Sequence, residues 1–350
     1  MKQELDYIVV GLGLAGINFC ELLRKHNKNF VVYDDGQNYS SWVSGGLYNP
    51  VILKRLTLSW DAANQMKLAY PVYRDIESRL KVKLDYKLPV HKKFQSIEDL
   101  NNWVVACDKP HLKNFLNPII FSKPTQPIKV PFGMGQVLKT GKIHTQKLLE
   151  AYAKSLDGEG LLERQRLNYE GLKISGPKVE YDNYIADRLV FAEGFGLKKN
   201  PYFDSSKLKG NKGELLVIEA PELKLDYVLK TDVFIIPIGD DKYTVGATYN
   251  WQDKTLEKSE EARERLTTAL EKMISCDYKV LEHRVGIRPT TANRRPLVGV
   301  HKEHSQLAIL NGLGTRGVMI GPMVSQKLFD HLENDQPLPE EIDIKRFDRT

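Results

Sequence analysis

The sequence contains no run of about 18 or more apolar residues, which excludes a membrane-spanning helix. Cysteine is scarce: Cys20, Cys107 and Cys276 are odd in number, far apart and without a CxxC pair. No disulfide framework or metal site is therefore expected, and a reducing, cytoplasmic location is. A secretory leader is not expected either, because the first apolar stretch is short, broken by glycines and preceded by Glu4 and Asp6. Repeats and low-complexity tracts are lacking. So is a strong charge of one sign: 51 Lys and Arg against 45 Asp and Glu leave +6 over 350 residues. Spread evenly, that surplus gives only solubility; gathered on one face, it helps hold an anionic partner. At 41% hydrophobic and 27% charged the chain has an ordinary globular composition. Its length suggests roughly two domains at about 150 residues each.

What is present declares itself at once. Asp6-Tyr7-Ile8-Val9-Val10 reads as a buried parallel strand and runs directly into GLGLAG, with Gly11, Gly13 and Gly16 in GxGxxG spacing. Ala15 to about His26 reads as a helix with Ile17, Cys20, Leu22 and Leu23 on its apolar face. A second strand, Phe30–Tyr33, ends in Asp34-Asp35. Each part has a physical job. Gly11 permits the tight turn, Gly13 lets a pyrophosphate reach the backbone, and Gly16 lets helix and strand pack closely. The helix N-terminus, opened by Leu14 and Ala15, offers N–H groups and a positive dipole to phosphate. Asp34 follows at about the 20-residue spacing expected of an acid that accepts ribose hydroxyls. The chain is expected to bind a dinucleotide.

Farther along, Phe234–Pro237 and Tyr243–Thr248, punctuated by Gly239 and Gly246, read as antiparallel strands. Ser122–Pro131 and Lys207–Lys212 read as loops. Ser259–Ile274 reads as a helix with Leu266, Ala269, Leu270 and Met273 inward. His144 falls at a helix start, with Thr145 as the expected cap.

Three more segments carry a resemblance. They are SSWVSGGLYNP (Ser40 to Pro50), ADRLVFAEGFG (Ala186 to Gly196) and VGIRPTTANRRPLVGV (Val285 to Val300), the last followed by LAILNGLGTRGVMIGP (Leu307 to Pro322). With the N-terminal motif, they resemble the D-amino-acid-oxidase-like family of FAD-dependent oxidoreductases, which includes glycine and sarcosine oxidases. GLGTRG (Gly312 to Gly317) and VGATYNW (Val245 to Trp251) also look like the oxidase half of bifunctional tRNA wobble-uridine-modifying enzymes. This chain opens at the flavin motif, so the methyltransferase half of such enzymes is not expected here.

The resemblance implies an α/β FAD-binding Rossmann-like domain, discontinuous over 1–82, 141–203 and 283–350. It also implies an α+β substrate domain with a mostly antiparallel sheet over 83–140 and 204–282. It places FAD, held noncovalently because no cysteine follows Cys276, on the opening glycine motif with Asp34 and Asp35. Ser41, Gly45, Gly46, Gly194, Gly312, Gly314, Thr315, Arg316 and Gly317 are expected to complete the cofactor site. Arg288, in GIRP, stands where the family pairs an arginine with the substrate carboxylate, a strong and directional contact. Arg316 holds substrate, balances negative charge near flavin N1, or makes a salt bridge. Tyr249 and Trp251 line a pocket by stacking or pack at its rim. Tyr48, Asn49, Lys54 and Arg55 are candidates to reach the flavin or substrate.

Two departures stand out: Phe234 replaces the carboxylate-binding tyrosine of glycine oxidases, and Thr315 replaces their second arginine. Thr244 stands where sarcosine oxidases carry an oxygen-activating lysine. The expected activity is oxidation of a C–N bond in a small amine or amino acid by hydride transfer to flavin N5. One alternative is oxidative removal of a carboxymethyl group from modified tRNA, with Arg284, Arg288, Arg294 and Arg295 guiding phosphates. The mild overall charge argues against nucleic acid. A non-catalytic flavin-binding protein is a further alternative.

Overall fold

The computed structural model describes residues 2–37 and 39–347. Residues 1, 38 and 348–350, all within the expected cofactor segments, lie outside the described residues. The N-terminal strand (β1, Gln3–Val10) sits inside a parallel sheet, between Phe30–Tyr33 (β2) on one side and Tyr184–Phe191 on the other. Leu162–Glu163 extends the parallel order beyond β2, and Leu307–Asn311 extends it beyond Tyr184–Phe191. The strand Tyr184–Phe191 forks. Its second half pairs with Leu307–Asn311, while its first half pairs with the antiparallel hairpin Lys173–Ser175 and Lys178–Tyr181.

The alternation of β1 explains the layering, because successive strand residues face opposite sides. Tyr7 and Val9 pack with four helices, Leu14–Lys25 (α1), Ala62–Leu80, Thr145–Gly158 and Gly317–Asn334. Ile8 and Val10 face the opposite cluster with Val179, Tyr181 and Leu197. Ile8 and Val9 are 0% exposed, and burying each such side chain contributes about 1.5–3 kcal/mol.

A second sheet of eight strands is antiparallel except for one pair, Val228–Lys230 with Val90–Lys93. Its order runs Lys279–Thr291, Leu208–Glu219, Lys242–Gly246, Phe234–Gly239, Val228–Lys230, Val90–Lys93, Met134–Val137, Leu116–Phe121. Tyr243 and Val245 pack against Leu266, Leu270 and Met273 of the helix segment that follows Ser259, while Thr244 and Gly246 face the other way, toward the cleft described below. A small sheet, with Gly141–Ile143 between Leu47–Tyr48 and Asp85–Lys87, joins the two halves. No described helix is long and apolar enough to cross a membrane.

Two local expectations are corrected. Lys207–Lys212 is not a loop: from Leu208 onward it is the start of the strand Leu208–Glu219, paired along its length with Lys279–Thr291. Its polar residues misled because they are buried and partnered. Lys212, 2% exposed, gives its ammonium to Asp253 Oδ2 at 2.5 Å and lies 3.7 Å from Glu214 Oε1. The helix at Thr145 is capped by His144 instead, whose Nδ1 accepts the Lys147 N–H at 3.3 Å, while the Thr145 hydroxyl donates to the Ser44 carbonyl. The strand Lys279–Thr291 spans residue 283, the expected start of the third segment of the cofactor domain.

Candidate cofactor and substrate site

Between the two sheets lies one cleft of about 2080 Å³. Most of the residues expected to touch cofactor or substrate line it; Gly16, Tyr48 and Arg284 do not. At Gly16 a Cβ would stand 2.0 Å from the Gly11 carbonyl oxygen, so its bare backbone serves the close packing of α1 on the turn.

The cofactor end fits a dinucleotide. Gly11 has φ +98°, a left-handed conformation that side chains rarely adopt, and a Cβ would meet the Ala192 carbonyl oxygen at 2.6 Å. The first turn of α1 carries no acid, and its N-cap Gly13 makes no side-chain hydrogen bond. Its dipole, and the first-turn N–H groups beyond that of Leu14, are therefore left for an anion. Ser41 Oγ accepts the Leu14 N–H at 3.2 Å and so places a hydroxyl at the same spot. Asp34, at the end of β2, accepts the Leu12 N–H at 2.5 Å and the Gly36 N–H at 2.8 Å, tying its carboxylate to the glycine turn. From the opposite strand ends, Gly194, Gly312 and Gly314, all with positive φ, bring backbone to the same cleft. None of the three cysteines lines it.

The substrate end is cationic and half aromatic. Arg288, on the strand Lys279–Thr291, donates through one nitrogen to Asn211 Oδ1 at 2.7 Å and to the Thr248 carbonyl at 3.1 Å. Its guanidinium rests on Gly213, where a Cβ would lie 2.2 Å from it, and stacks over the Tyr249 ring at 4.5 Å. Arg316 donates to the Asn49 carbonyl at 2.5 Å. Among the described residues neither arginine has a carboxylate within ion-pair distance. Burial lowers the pKa of both, with Tyr249 working the other way, but a guanidinium remains charged. Two half-buried cations without a described counter-ion would gain from a bound anion. Tyr249 and Trp251 are 52% and 49% exposed at the rim, and Thr244 and Phe234 line the wall.

The charge surplus is gathered here. Among the described residues, fifteen Lys and Arg against eight Asp and Glu line the cleft, an excess of seven that is slightly larger than the +6 of the whole chain.

Some candidates are elsewhere. Tyr48 does not reach the cleft: it is 3% exposed, packs under Gly141 and donates to Asp85 Oδ1 at 2.7 Å. Arg284 also lies off the cleft and pairs with Glu282. Asn211 and Gly213 escaped notice because they fall in and beside the stretch read as a loop; a strand reading of residues 208–219 would have placed them opposite Arg288 and Gly286.

Comparison with known proteins agrees with this architecture. A family model described as FAD dependent oxidoreductase matches residues 6–330. Among curated proteins, the tRNA 5-methylaminomethyl-2-thiouridine biosynthesis bifunctional protein of Campylobacter jejuni subsp. doylei is 28% identical over 130 residues. The match takes in 37% of this chain and only 21% of that protein. The namesake from Marinobacter nauticus is 26% identical over 165 residues, 42% of this chain and 26% of its own length. Among solved structures, glycine oxidase from Bacillus cereus superposes with TM-score 0.78 at 17% identity, covering 95% of this chain and 96% of that one. Iminodiacetate oxidase from Chelativorans sp. BNC1 gives TM-score 0.79 at 14% identity, covering 96% and 97%. At such identities the structures establish the fold, while the family match over nearly the whole chain establishes kinship. The chain belongs to the family of FAD-dependent oxidoreductases.

Proposed function

We propose that the protein oxidises a C–N bond of an amino acid or N-substituted amine that carries a carboxylate. The observation that carries this reading is the pair Arg288 and Arg316, half-buried in one cleft with no carboxylate of the described residues within ion-pair distance. The named activities of the glycine oxidase and iminodiacetate oxidase folds point the same way.

Bound FAD would supply the hydride-accepting chemistry at N5 by which the amine-bearing carbon is oxidised to an imine, which water then hydrolyses. This chain's residues do the rest. Gly11, Gly13 and the first turn of α1 would hold the pyrophosphate, and Asp34 the ribose. Arg288 and Arg316 anchor the substrate carboxylate, which fixes the distance of the amine-bearing carbon from the cofactor. The same positive field, unopposed by a nearby acid, favours the neutral amine that can release a hydride. Tyr249 covers Arg288 and shields the pair from water. The noncovalent mode of FAD binding, and the division into a cofactor part (1–82, 141–203, 283–350) and a substrate part (83–140, 204–282), belong to the same proposal.

A second reading has one observation in its favour: the concentration of the charge surplus in the cleft, beside the partial likeness to the tRNA-modifying bifunctional proteins. Under it the carboxymethyl amine is borne on tRNA. One experiment separates the two. The purified flavoprotein is mixed anaerobically with glycine, sarcosine, proline, iminodiacetate and carboxymethylaminomethyl-bearing tRNA, and flavin bleaching is followed. Bleaching by small amines supports the first reading and bleaching by the tRNA alone the second. No bleaching by any of them overturns both.

A further inference from the structure

Lys230 is a cation that neither the cofactor nor the Arg288 end uses. It closes the short strand Val228–Lys230 and lines the cleft. Its ammonium donates to the Thr231 carbonyl and stands 4.7 Å from the centre of the Phe234 ring. Among the described residues it has no carboxylate within ion-pair distance, whereas its neighbour across the ladder, Lys92, is paired with Asp99. Burial holds the amine down at a pKa of about 8, with Asp232 working against that shift and Lys92 adding to it. Burying an ammonium with one backbone acceptor is costly, and a ligand anion would recover that cost.

The sheet register puts Lys230 and Arg288 on one wall. Lys230 pairs with Phe234, Phe234 with Gly246, Gly246 with Leu215, and Leu215 with Arg284, four residues before Arg288 on the same strand and so on the same face. Lys230, Phe234, Gly246, Leu215 and Arg288 all line the cleft. Four strand spacings across and four residues along separate the two ends, on the order of 23 Å between backbones, which the two long side chains shorten. Between them the wall is the Phe234 ring and the bare backbone of Gly246, an apolar floor suited to an aliphatic spacer. The cleft of about 2080 Å³, which the dinucleotide would share with the substrate, is roughly twice the upper end of ordinary ligand pockets, about 1,000 Å³.

We propose that Lys230 is a second anion-binding residue of the substrate site, so that the preferred substrate is an amine carrying two anionic groups. One is the carboxylate at Arg288 and Arg316; the other lies farther along the cleft at Lys230. The inference rests on the reading of the Arg288 end as a carboxylate site. It assigns Lys230 to specificity, with no part in the chemical step.

The test does not require turnover. Titration calorimetry on the FAD-loaded protein compares dicarboxylates of rising length (succinate, adipate, suberate, sebacate) with their half-amides, which keep the length and lose one charge. A dicarboxylate of matching length is expected to bind about 10-fold or more tightly than its half-amide, worth about 1.4 kcal/mol. Lys230→Met abolishes that ratio and Lys230→Arg preserves it, while Arg288→Met weakens both ligand classes. A ratio near one at every length in the unaltered protein overturns the proposal. So does a ratio that survives Lys230→Met, or a Lys230→Met variant that weakens both classes equally, the mark of a merely structural lysine. If no amine reduces the flavin yet the dicarboxylate advantage stands, the proposed reaction fails and the role of Lys230 remains. If amines reduce the flavin and the advantage is absent, the reverse holds.

Discussion

Arg288 and Tyr249 form a cation–π pair, guanidinium carbon to ring centroid 4.5 Å, on the floor made by Gly213. The arginine is thus held flat between a ring and a bare backbone, with Asn211 fixing one nitrogen. A planar fork held this way is ready for a carboxylate before the substrate arrives.

Replacing Arg288 by Met is therefore expected to raise the substrate dissociation constant by roughly 100-fold, the loss of a charge-assisted pair worth about 1.5–3 kcal/mol. Flavin content is expected to stay at one per chain. Because the variant also removes a half-buried cation that has no described carboxylate within ion-pair distance, its melting temperature is expected to hold or rise. Rapid-mixing reduction kinetics and a thermal melt check the two halves. Unchanged substrate binding removes Arg288 from the site.

Gly213→Ala tests the floor beneath it. The added Cβ would lie 2.2 Å from the guanidinium, so the arginine must lift away from Asn211 and toward Tyr249. The expected outcome is a KM raised about 10-fold, or ~1.4 kcal/mol, with kcat changed far less. Equal losses in both constants would mean that Gly213 supports the chemical step instead.

Asp34→Ala addresses the cofactor end. The carboxylate holds the Leu12 and Gly36 N–H groups and stands where a ribose would bind. FAD affinity is expected to fall about 10- to 100-fold, since hydrogen bonds to a charged group contribute about 1.5–3 kcal/mol. Fluorescence quenching on reconstitution of the apoprotein measures it. Asp34→Asn is expected to lose less, because the amide oxygen still accepts one N–H.

Acid stability should report on His91, which is not among the residues that line the cleft. It is 7% exposed, its ring lies 4.3 Å from Tyr227 and 4.9 Å from Phe121, and its Nδ1 has no hydrogen-bond partner. Burial pushes its pKa from the ordinary 6.5 down to about 4, with Asp226 opposing. Below pH 6.5 the unfolded chain takes up a proton that the folded chain refuses. The stabilisation is thus present above about pH 6.5 and lost as pH falls toward 4, by about 2–3 kcal/mol. Urea unfolding at pH 7 and pH 4.5 measures the loss, and His91→Phe is expected to shrink it while keeping the ring contacts.

Local patterns made much of this molecule readable in advance. The strand β1, the glycine turn, the helix α1 and the acid of Asp34 are contiguous, so each constrains its neighbour and periodicity suffices. Arg288 was legible through its GIRP setting. Asn211 was not, because a polar stretch buried by pairing with a strand 77 residues away looks like a loop to any local reading. Lys230 was hidden for a related reason: its place on the Arg288 wall follows from the register of five strands, which no single segment encodes. Tyr48 erred in the opposite direction, since its closeness in sequence to the glycine loop says nothing of the half turn that buries its ring beneath Gly141.

The unbroken strand Lys279–Thr291 has a practical consequence for engineering. A chimera that grafted a relative's cap at residue 283 would cut this strand within its ladder to Leu208–Glu219. Arg288, the proposed carboxylate anchor, would then inherit one parent's backbone and the other's hydrogen bonds. Exchange should place its crossover before Lys279 or after Thr291, so that the anchor and the strand supplying Asn211 and Gly213 travel together as one inherited block.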